Sequence, residues 1–339
     1  MSIEYEFDTR PAHGDVNTIV EGIRWLRMPL PMALEHINLW LIDDQDGCAI
    51  VDTGVCIESN RDIWEQTFAG PMAGQPVTRV IVTHLHPDHS GCAGWLAKNH
   101  DVELWMTREE YLMCRLLIAD TGRDAPVAGT RFYRAAGFSD EALTRYQQNF
   151  GMFGKYVAPL PESYRRIVDG EQLAIGGSDW EIIIGRGHSP EHACLFNPER
   201  NLVISGDQIL PTISSNVSVY PTEPQANPLK DWIDSLTAMK HRLPEDVLVL
   251  PAHGKPFRGA HARLDALIAE HTGGLNKLLD TCAEPRRAID VFPALFKGRI
   301  SDGNLIMAAG ESVAHLHYLV AEGALGVESN DGVLWYYRT

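Results

Sequence analysis

Three histidines and an aspartate lie within six residues of one another, directly after an apolar segment of the chain. They form the pattern His84-x-His86-x-Asp88-His89 and follow residues 79–83, whose β-branched content predicts a buried strand. Imidazole and carboxylate groups are the ligands expected for zinc and other borderline divalent metals. A turn can splay these side chains, so that one pair reaches one ion and the other pair reaches a second. The pattern therefore predicts a metal site.

Further histidine and aspartate residues stand beside glycine where other predicted strands end. They are His188 after 180–185, Asp207 after 201–204 and His253 after 247–250. Each one alone is a weak signal, because a lone histidine is more often structural than a ligand. Four such positions in chain order, beginning with the histidine cluster, favour a single shared site.

The elements that must position these residues alternate between short strands and helices, which predicts an α/β architecture of layered sheets. The segment 166–175 is one of the predicted strands. Between Thr107 and Ser163 the alternation is interrupted by two predicted helices, 108–120 and 139–153, rich in Tyr, Phe, Met and Leu. An insertion of this length is more often a lid or cap than a linker. The alternative is that these helices only pack on a small core of their own.

The tail that begins at residue 259 changes character. It predicts a helix over 260–282, shorter helices over 286–297 and 301–309, a helix over 311–322 and a hairpin that turns at 329–332. Short helices followed by a hairpin fit a winged-helix module. We therefore expect a catalytic domain over 1–258, with its helical insertion at about 107–163, and a small winged-helix-like domain over 259–339.

Charge limits the partners of the protein. The 339 residues include 29 Lys and Arg against 45 Asp and Glu, a net charge of −16, and such a surface repels phosphate backbones and anionic membranes. Residues 259–339 carry seven basic and ten acidic residues, so the tail lacks the positive charge needed to dock on phosphates. We expect a small-molecule substrate, no membrane and no nucleic-acid partner, and a tail that could support a homodimer.

Cysteine usage and apolar content bear on location. The six cysteines are scattered without a C-x-x-C pair, which indicates reduced thiols. The sequence has no run of about 18 apolar residues, and its acidic first eight residues lack the apolar region of a secretory signal. These features predict a cytoplasmic protein.

Five motifs in order make residues 18–258 resemble the metallo-β-lactamase superfamily. They are Asp52-Thr53-Gly54, the cluster His84 to His89, then His188, Asp207 and His253. The resemblance implies an αβ/βα sandwich with a glyoxalase II-like metal motif. The tail resembles the C-terminal domain of a subgroup that includes lactamase-like endoribonucleases and bacterial hydrolases.

The resemblance also implies two divalent metal ions, with zinc first and manganese or iron as alternatives. The implied ligands are His84, His86 and His188 for one ion, Asp88, His89 and His253 for the other, and Asp207 as the bridge. Asp52 resembles the family's aspartate that orients a ligand histidine. His192 either positions the site in a similar way or is a structural histidine of the core.

Two ligand identities narrow the implied activity. Asp207, rather than cysteine, favours the hydrolase branch with glyoxalase II, lactonases, thioesterases and nucleases, and His86, rather than glutamate, argues against the diiron electron-transfer branch. We expect a binuclear hydrolase that cleaves an ester or thioester, such as an acyl thioester or a lactone. A metal-bound hydroxide would be the nucleophile, and Asp88 and Asp207 would orient the water or accept its proton.

Substrate contacts are expected from the segment that follows Asp207, at Ser214, Asn216 and Tyr220. Two other functions stay open at this point. One is an endoribonuclease of the winged-helix subgroup, which the acidic charge disfavours. The other is a mononuclear iron sulfur dioxygenase that uses two histidines and an aspartate, which the larger number of candidate ligands disfavours.

Overall fold

The structure is a computed structural model that describes residues 3–31, 34–45 and 47–339. Its strands are β1 (Glu4–Tyr5), β2 (Val16–Val20), β3 (Ile23–Pro29), β4 (His36–Asp44), β5 (Gly47–Val51), β6 (Val77–Ile81), β7 (Leu104–Met106), β8 (Arg165–Arg166), β9 (Gln172–Ile175), β10 (Ser178–Gly185), β11 (His192–Asn197), β12 (Leu202–Gly206), β13 (Leu248–Pro251), β14 (Phe257–Arg258), β15 (Leu325–Asn330) and β16 (Val333–Arg338). Its helices are α1 (Glu58–Ala69), α2 (Pro87–Ser90), α3 (Ala93–His100), α4 (Arg108–Ala119), α5 (Val127–Ala135), α6 (Asp140–Asn149), α7 (Pro228–Arg242), α8 (Ala260–Thr281), α9 (Phe292–Leu295) and α10 (Leu305–Ala321). Turns of 3₁₀ helix lie at Phe153–Lys155 and Ala288–Val291.

Two seven-stranded sheets form the centre of the molecule. The first has the order β2-β3-β4-β5-β6-β7-β8, and the second has the order β1-β14-β13-β12-β11-β10-β9. In the first sheet β2 to β5 are antiparallel, whereas β5 to β8 run parallel. In the second sheet β12 and β13 run parallel, and the other neighbours are antiparallel.

Alternation along β4 explains how these sheets stack. Ile37, Leu39 and Leu41 face a core shared with α1, α3 and α4, while Trp40 and Ile42 face a core shared with the second sheet. All five side chains are at most 2% exposed. Burial on both faces accounts for the nearly continuous apolar sequence of this strand. The predicted αβ/βα sandwich, with sheets inside and helices outside, is confirmed.

The outer face of the second sheet is covered by α7, α8 and α10. One hydrophobic cluster joins Leu236 of α7, Leu264 of α8 and Leu316 of α10 to Val249 and Phe257 of the sheet. The core therefore continues across the predicted boundary at 258/259, and the tail packs directly on the catalytic fold. No helix in the described ranges is long and apolar enough to span a membrane.

The insertion contains three helices where the sequence predicts two. The helix that was not predicted is α5, whose Gly129 and Thr130 weaken the helical pattern. Gly129 is needed there because a Cβ would lie 2.0 Å from the hydroxyl oxygen of Tyr146 on α6. Close packing of α5 on α6 builds a small core around Tyr133 and Tyr146, which Ala309 of α10 joins.

Three predictions about individual elements are wrong. The predicted strand 166–175 is divided between the sheets, because Gly170 adopts a φ of 75° and the chain crosses from β8 to β9. The predicted helix over 286–297 is a 3₁₀ turn followed by the four-residue α9.

The separately predicted helices over 301–309 and 311–322 form the single helix α10, which runs through Gly310. The helix continues through Gly310, and the absence of a Cβ there lets α10 pack closely against the segment that follows Asp207. Its carbonyl oxygen accepts a hydrogen bond from the Val219 N–H (3.1 Å), and a Cβ at this position would lie 2.7 Å from Ser218 Cβ.

Glycines in two neighbouring helices give a matched test of this contact. Gly310→Ala is expected to destabilise the protein by about 1–3 kcal/mol, since overpacking must push α10 away from the Ser218 segment. A Cβ at Gly273 on α8 would have no described atom within 4 Å apart from the backbone of its own helix. Gly273→Ala should therefore stabilise the protein by about 0.5–1 kcal/mol. Thermal unfolding of both metal-loaded variants measures the difference. An equal increase of the unfolding temperature in both variants would contradict the close contact at Gly310.

Candidate metal centre

The loops that follow four strands bring the predicted ligands together. These ligands are His84 and His86 after β6, Asp88 and His89 in α2, His188 after β10, Asp207 after β12 and His253 after β13. Their donor atoms form two groups, and within each group the donors lie within 4.8 Å of one another.

The first group contains three histidines and Asp207. His84 Nε2 lies 2.8 Å from His86 Nδ1 and 3.3 Å from His188 Nε2, and His188 Nε2 lies 3.4 Å from Asp207 Oδ2. Ligands about 2.0–2.1 Å from a tetrahedral zinc ion are about 3.3–3.4 Å from each other. The spacing of these donors therefore suits a divalent ion.

The second group contains Asp88, His89 and His253, and it also meets Asp207. His253 Nε2 lies 3.3 Å from Asp88 Oδ2 and 3.4 Å from Asp207 Oδ1, and His89 Nε2 lies 3.4 Å from the same Asp207 oxygen. The two carboxylate oxygens of Asp207 thus face different groups. This is the placement that a bridging aspartate requires.

Unsatisfied buried atoms test whether a cation fits. Among the described residues, His89 Nε2, His253 Nε2 and Asp207 Oδ1 have no hydrogen-bond partner although they are buried. Such atoms cost free energy unless something binds them. All three converge on one position, and imidazole with carboxylate is a donor set that divalent metals accept. The residues fit the metal ions that the resemblance implies.

Electrostatics differ between the groups. Burial holds the pKa of His84 well below its ordinary value and lowers the pKa of His86 to about 3, so both imidazoles are neutral and offer lone pairs. Burial also opposes protonation of His89, but the carboxylates of Asp52 and Asp88 outweigh it and raise its pKa. The second group thus concentrates negative charge that a cation would neutralise.

Asp52 positions His89 rather than reaching the donor cluster itself. Its Oδ2 accepts a hydrogen bond from His89 Nδ1 (2.7 Å), and the Thr83 hydroxyl donates to the same oxygen (2.8 Å). The Thr83 N–H donates to Oδ1 (2.8 Å). With Nδ1 committed, Nε2 of His89 must point towards Asp207.

Comparable contacts orient the remaining ligands. His188 Nδ1 donates to the Asn216 carbonyl oxygen, and His253 Nδ1 donates to the His36 carbonyl oxygen, each at 2.7 Å. His192, the residue with two open interpretations, accepts a hydrogen bond from the Asp207 N–H at Nε2 (3.0 Å). It therefore contacts the backbone of Asp207, the predicted bridge.

Glu110 is a positioning residue that sequence reasoning missed. This buried side chain on α4 accepts hydrogen bonds from the Leu85 N–H (2.9 Å) and the Glu191 N–H (2.8 Å). It thereby joins the loop that holds His84 and His86 to the loop that holds His188. An isolated glutamate on a helix gives no sequence signal for this role.

Asn38 of β4 is a second missed residue. Its side-chain amide donates to the Pro251 (2.8 Å) and Gly254 (2.9 Å) carbonyl oxygens, and its Oδ1 accepts from the Trp25 indole (2.8 Å). These bonds fix the turn that carries His253.

The three predicted substrate residues point in different directions. Tyr220 lines a cavity of about 530 Å³ that also contacts His86 and His188. Ser214 and Asn216 instead form side-chain hydrogen bonds to the tail, Ser214 with His271 (3.1 Å) and Asn216 with Glu311 (2.7 Å).

Asp207→Ala is expected to affect both groups, because the substitution removes the oxygens that face each of them. We expect loss of at least one of the two ions of this centre and a fall in kcat of at least about 100-fold. Metal content after reconstitution with zinc, together with turnover, measures the effect. Asp179→Ala, an exposed position of β10, is the control. Unchanged zinc content and turnover in the Asp207 variant would exclude the bridging role.

Glu110→Gln keeps the shape of the side chain but replaces one acceptor oxygen with a donor. Because one buried N–H is then left unpaired, we expect metal affinity to fall about 10–100-fold. Competition with a chelator measures it, and Glu109→Gln on the exposed side of the same helix is the control. Equal affinities for the two variants would mean that Glu110 does not position the ligands.

Comparisons with known proteins agree with this arrangement. The profile of the metallo-beta-lactamase superfamily matches residues 33–253, and that of a metallo-beta-lactamase-like C-terminal domain matches residues 275–339. A probable metallo-hydrolase of Bacillus subtilis (strain 168), YqjP, is 24% identical over 94% of this chain and 98% of its own length. Acyl-coenzyme A thioesterase MBLAC2 of Gallus gallus is 23% identical, with 77% of this chain and 88% of that protein covered.

Among solved structures, a beta-lactamase domain protein from Burkholderia ambifaria is 40% identical and has a TM-score of 0.91. The match covers 99% of this chain and 98% of that one. Profile, sequence and structure thus agree on the family of the sandwich. The chain belongs to the metallo-β-lactamase superfamily, a family of metallo-hydrolases.

Proposed function

We propose that the protein is a binuclear metal-dependent hydrolase that cleaves the ester or thioester bond of a substrate with an apolar acyl group. The observation that carries this proposal is the cavity beside the metal centre. Its volume of about 530 Å³ lies within the range of small-molecule sites, and His86 and His188 form part of its wall.

More than half of the remaining cavity wall comes from the insertion and is largely apolar. Met113 and Leu117 belong to α4, Tyr133 belongs to α5, and Tyr146 belongs to α6. An acyl chain in this space would leave water while its carbonyl carbon stayed beside the histidines. The insertion therefore supplies both a small core of its own and a wall for the substrate.

Two divalent ions held by the seven donor residues would polarise a carbonyl oxygen and lower the pKa of a water molecule. Zinc is the first choice, because imidazole and carboxylate donors at this spacing suit it. Asp207 and Asp88 face the position between the groups, where they can orient the attacking water and hold its proton.

The thioester class has support from outside the structure. The Gallus gallus relative is named an acyl-coenzyme A thioesterase, and acyl thioesters combine an apolar chain with a hydrolysable carbonyl. Another relative is named hydroxyacylglutathione hydrolase, also a thioester enzyme by name, which agrees with a glyoxalase II-like motif. We extend the same chemistry to this chain as part of the proposal.

Other parts of the proposal concern the domain type of the tail and the location of the protein in the cell. Three helices followed by the β15–β16 hairpin have the order of a winged-helix module, and we assign residues 259–339 to it. The six cysteines are free, which suits a reducing cytoplasm.

The tail's net acidic charge disfavours the endoribonuclease alternative, and the two groups of donors favour a binuclear hydrolase over a mononuclear dioxygenase.

A homologous series of acyl thioesters tests the role of the cavity. Since each buried methylene contributes about 0.8 kcal/mol, kcat/KM should rise about fourfold per added CH₂ until the cavity is filled. Leu117→Gln should flatten this dependence because it places an amide in the apolar wall. Leu116→Gln, its exposed neighbour on α4, should leave the dependence unchanged.

Metal content should be the same in both leucine variants, since neither residue contacts the donors. A flat series in the unsubstituted protein, combined with good turnover, would reject the acyl cavity. Parallel assays with lactones, alkyl sulfates and RNA would then identify the bond that is cleaved. Absence of thioester and ester hydrolysis by the zinc-loaded protein would reject the proposed function itself.

A further inference from the structure

A second cluster of potential ligands lies outside the metal centre, where helix α8 packs against α10. It consists of His271 on α8 and of Glu311 and His315, one turn apart on α10. Both histidines are almost fully buried, at 3% and 2% exposure, whereas Glu311 is partly exposed. One donor atom of each residue lies within 4.8 Å of the other two.

The histidine nitrogens in this cluster are placed as at the metal centre. His315 Nδ1 donates to the Glu311 carbonyl oxygen (2.8 Å), so its Nε2 carries a lone pair, which can accept a hydrogen bond from His271 Nδ1. That Nε2 lies 3.1 Å from His271 Nδ1, similar to the 3.3 Å between His84 Nε2 and His188 Nε2. Donors at this separation can share a tetrahedral ion, whose ligands are about 3.3–3.4 Å apart.

Each of the three residues is also held at an atom that would not bind the ion. His271 Nε2 pairs with the Ser214 hydroxyl (3.1 Å), His315 Nδ1 pairs with a backbone carbonyl, and Glu311 Oε2 accepts from the Asn216 amide (2.7 Å). Metal-binding histidines and carboxylates are commonly oriented by such outer contacts. With these atoms engaged, His271 Nδ1 and His315 Nε2 face each other, and the Glu311 carboxylate lies beside them.

The carboxylate in this cluster has no basic partner. Within the described ranges, no lysine or arginine forms an ion pair with Glu311, whose carboxylate accepts a hydrogen bond from the Asn216 amide. Burial lowers the pKa of His271 to about 3 and the pKa of His315 to about 4, so neither supplies a positive charge near neutral pH. Burial raises the pKa of Glu311 to about 7, so a cation that binds beside the two neutral imidazoles would displace the proton that this carboxyl group partly retains at neutral pH.

We infer that His271, Glu311 and His315 form a third divalent-metal site of the zinc class, separate from the binuclear centre. Binding needs one proton to move within His271, from Nδ1 to Nε2, where the Ser214 oxygen accepts its hydrogen bond. If Glu311 is protonated, its proton passes to solvent as the ion binds. Without an ion, the same atoms can form a chain of hydrogen bonds from Ser214 through His271 to His315.

This site is connected to the metal centre by a single residue. Asn216 donates to Glu311 through its side chain and accepts from His188 through its carbonyl oxygen. An ion on Glu311 would therefore help to fix the residue that orients His188. The inference does not depend on which substrate the centre hydrolyses.

The number of zinc ions bound per protein chain distinguishes a bound third ion from a chain of hydrogen bonds. The full-length protein is stripped with a chelator, reconstituted with ZnCl₂, desalted and analysed for zinc per chain by mass spectrometry. His315→Gln should bind one zinc ion fewer than the unsubstituted protein. His317→Gln, a partly exposed histidine of the same helix outside the cluster, should bind the same number.

Glu311→Gln is the second variant, because it keeps the Asn216 contact available while removing the negative charge, and it too should bind one ion fewer. Crystals of the unsubstituted protein, measured at the zinc edge, should give an anomalous peak between His271 and His315. Zinc content that is identical in all four proteins would overturn the site. So would anomalous peaks confined to the binuclear centre, and neither result would bear on the hydrolase proposal.

Discussion

A buried histidine can present its lone pair to a fixed point only when its other ring nitrogen is held, and the centre is built around this requirement. Asp52 holds His89, the Asn216 carbonyl holds His188, and the His36 carbonyl holds His253. Without these contacts the imidazole rings could flip, and repulsion between their similarly oriented dipoles would move the rings apart. The hydrogen bonds therefore maintain a convergence of donors that the donors by themselves would not favour.

Parallel strand pairs supply the framework for these contacts. β5 and β6 run parallel, so Asp52 and the histidine loop emerge at the same edge of the first sheet. β12 and β13 run parallel in the second sheet, and Asp207 and His253 likewise emerge together. Ligands gather at the carboxyl ends of parallel strands for this reason. Stacking the two sheets then brings both edges to one place, with a tryptophan-rich core between them.

The candidate metal ligands could be predicted from the sequence because four of them lie within six residues and the others closely follow apolar strands. Glu110 and Asn38 could not, since their partners lie 25 and 213 residues away and their own neighbourhoods are ordinary helix and strand. Glycine misled the prediction where tertiary contact decides the outcome. Gly129 and Gly310 weaken a helix locally, yet both helices form because a missing Cβ permits close packing.

The contacts of the tail indicate that it helps to position residues of the metal centre. Helix α10 contacts Asn216 through Glu311 and contacts Val219 through Gly310. The same loop thus orients His188 at its Asn216 end and contributes Tyr220 to the cavity wall four residues later. Because α10 contacts this segment at two residues, we expect a shift of α10 to displace His188 and Tyr220 together. Under the proposed function, metal geometry and substrate fit would then be coupled through the tail rather than set independently.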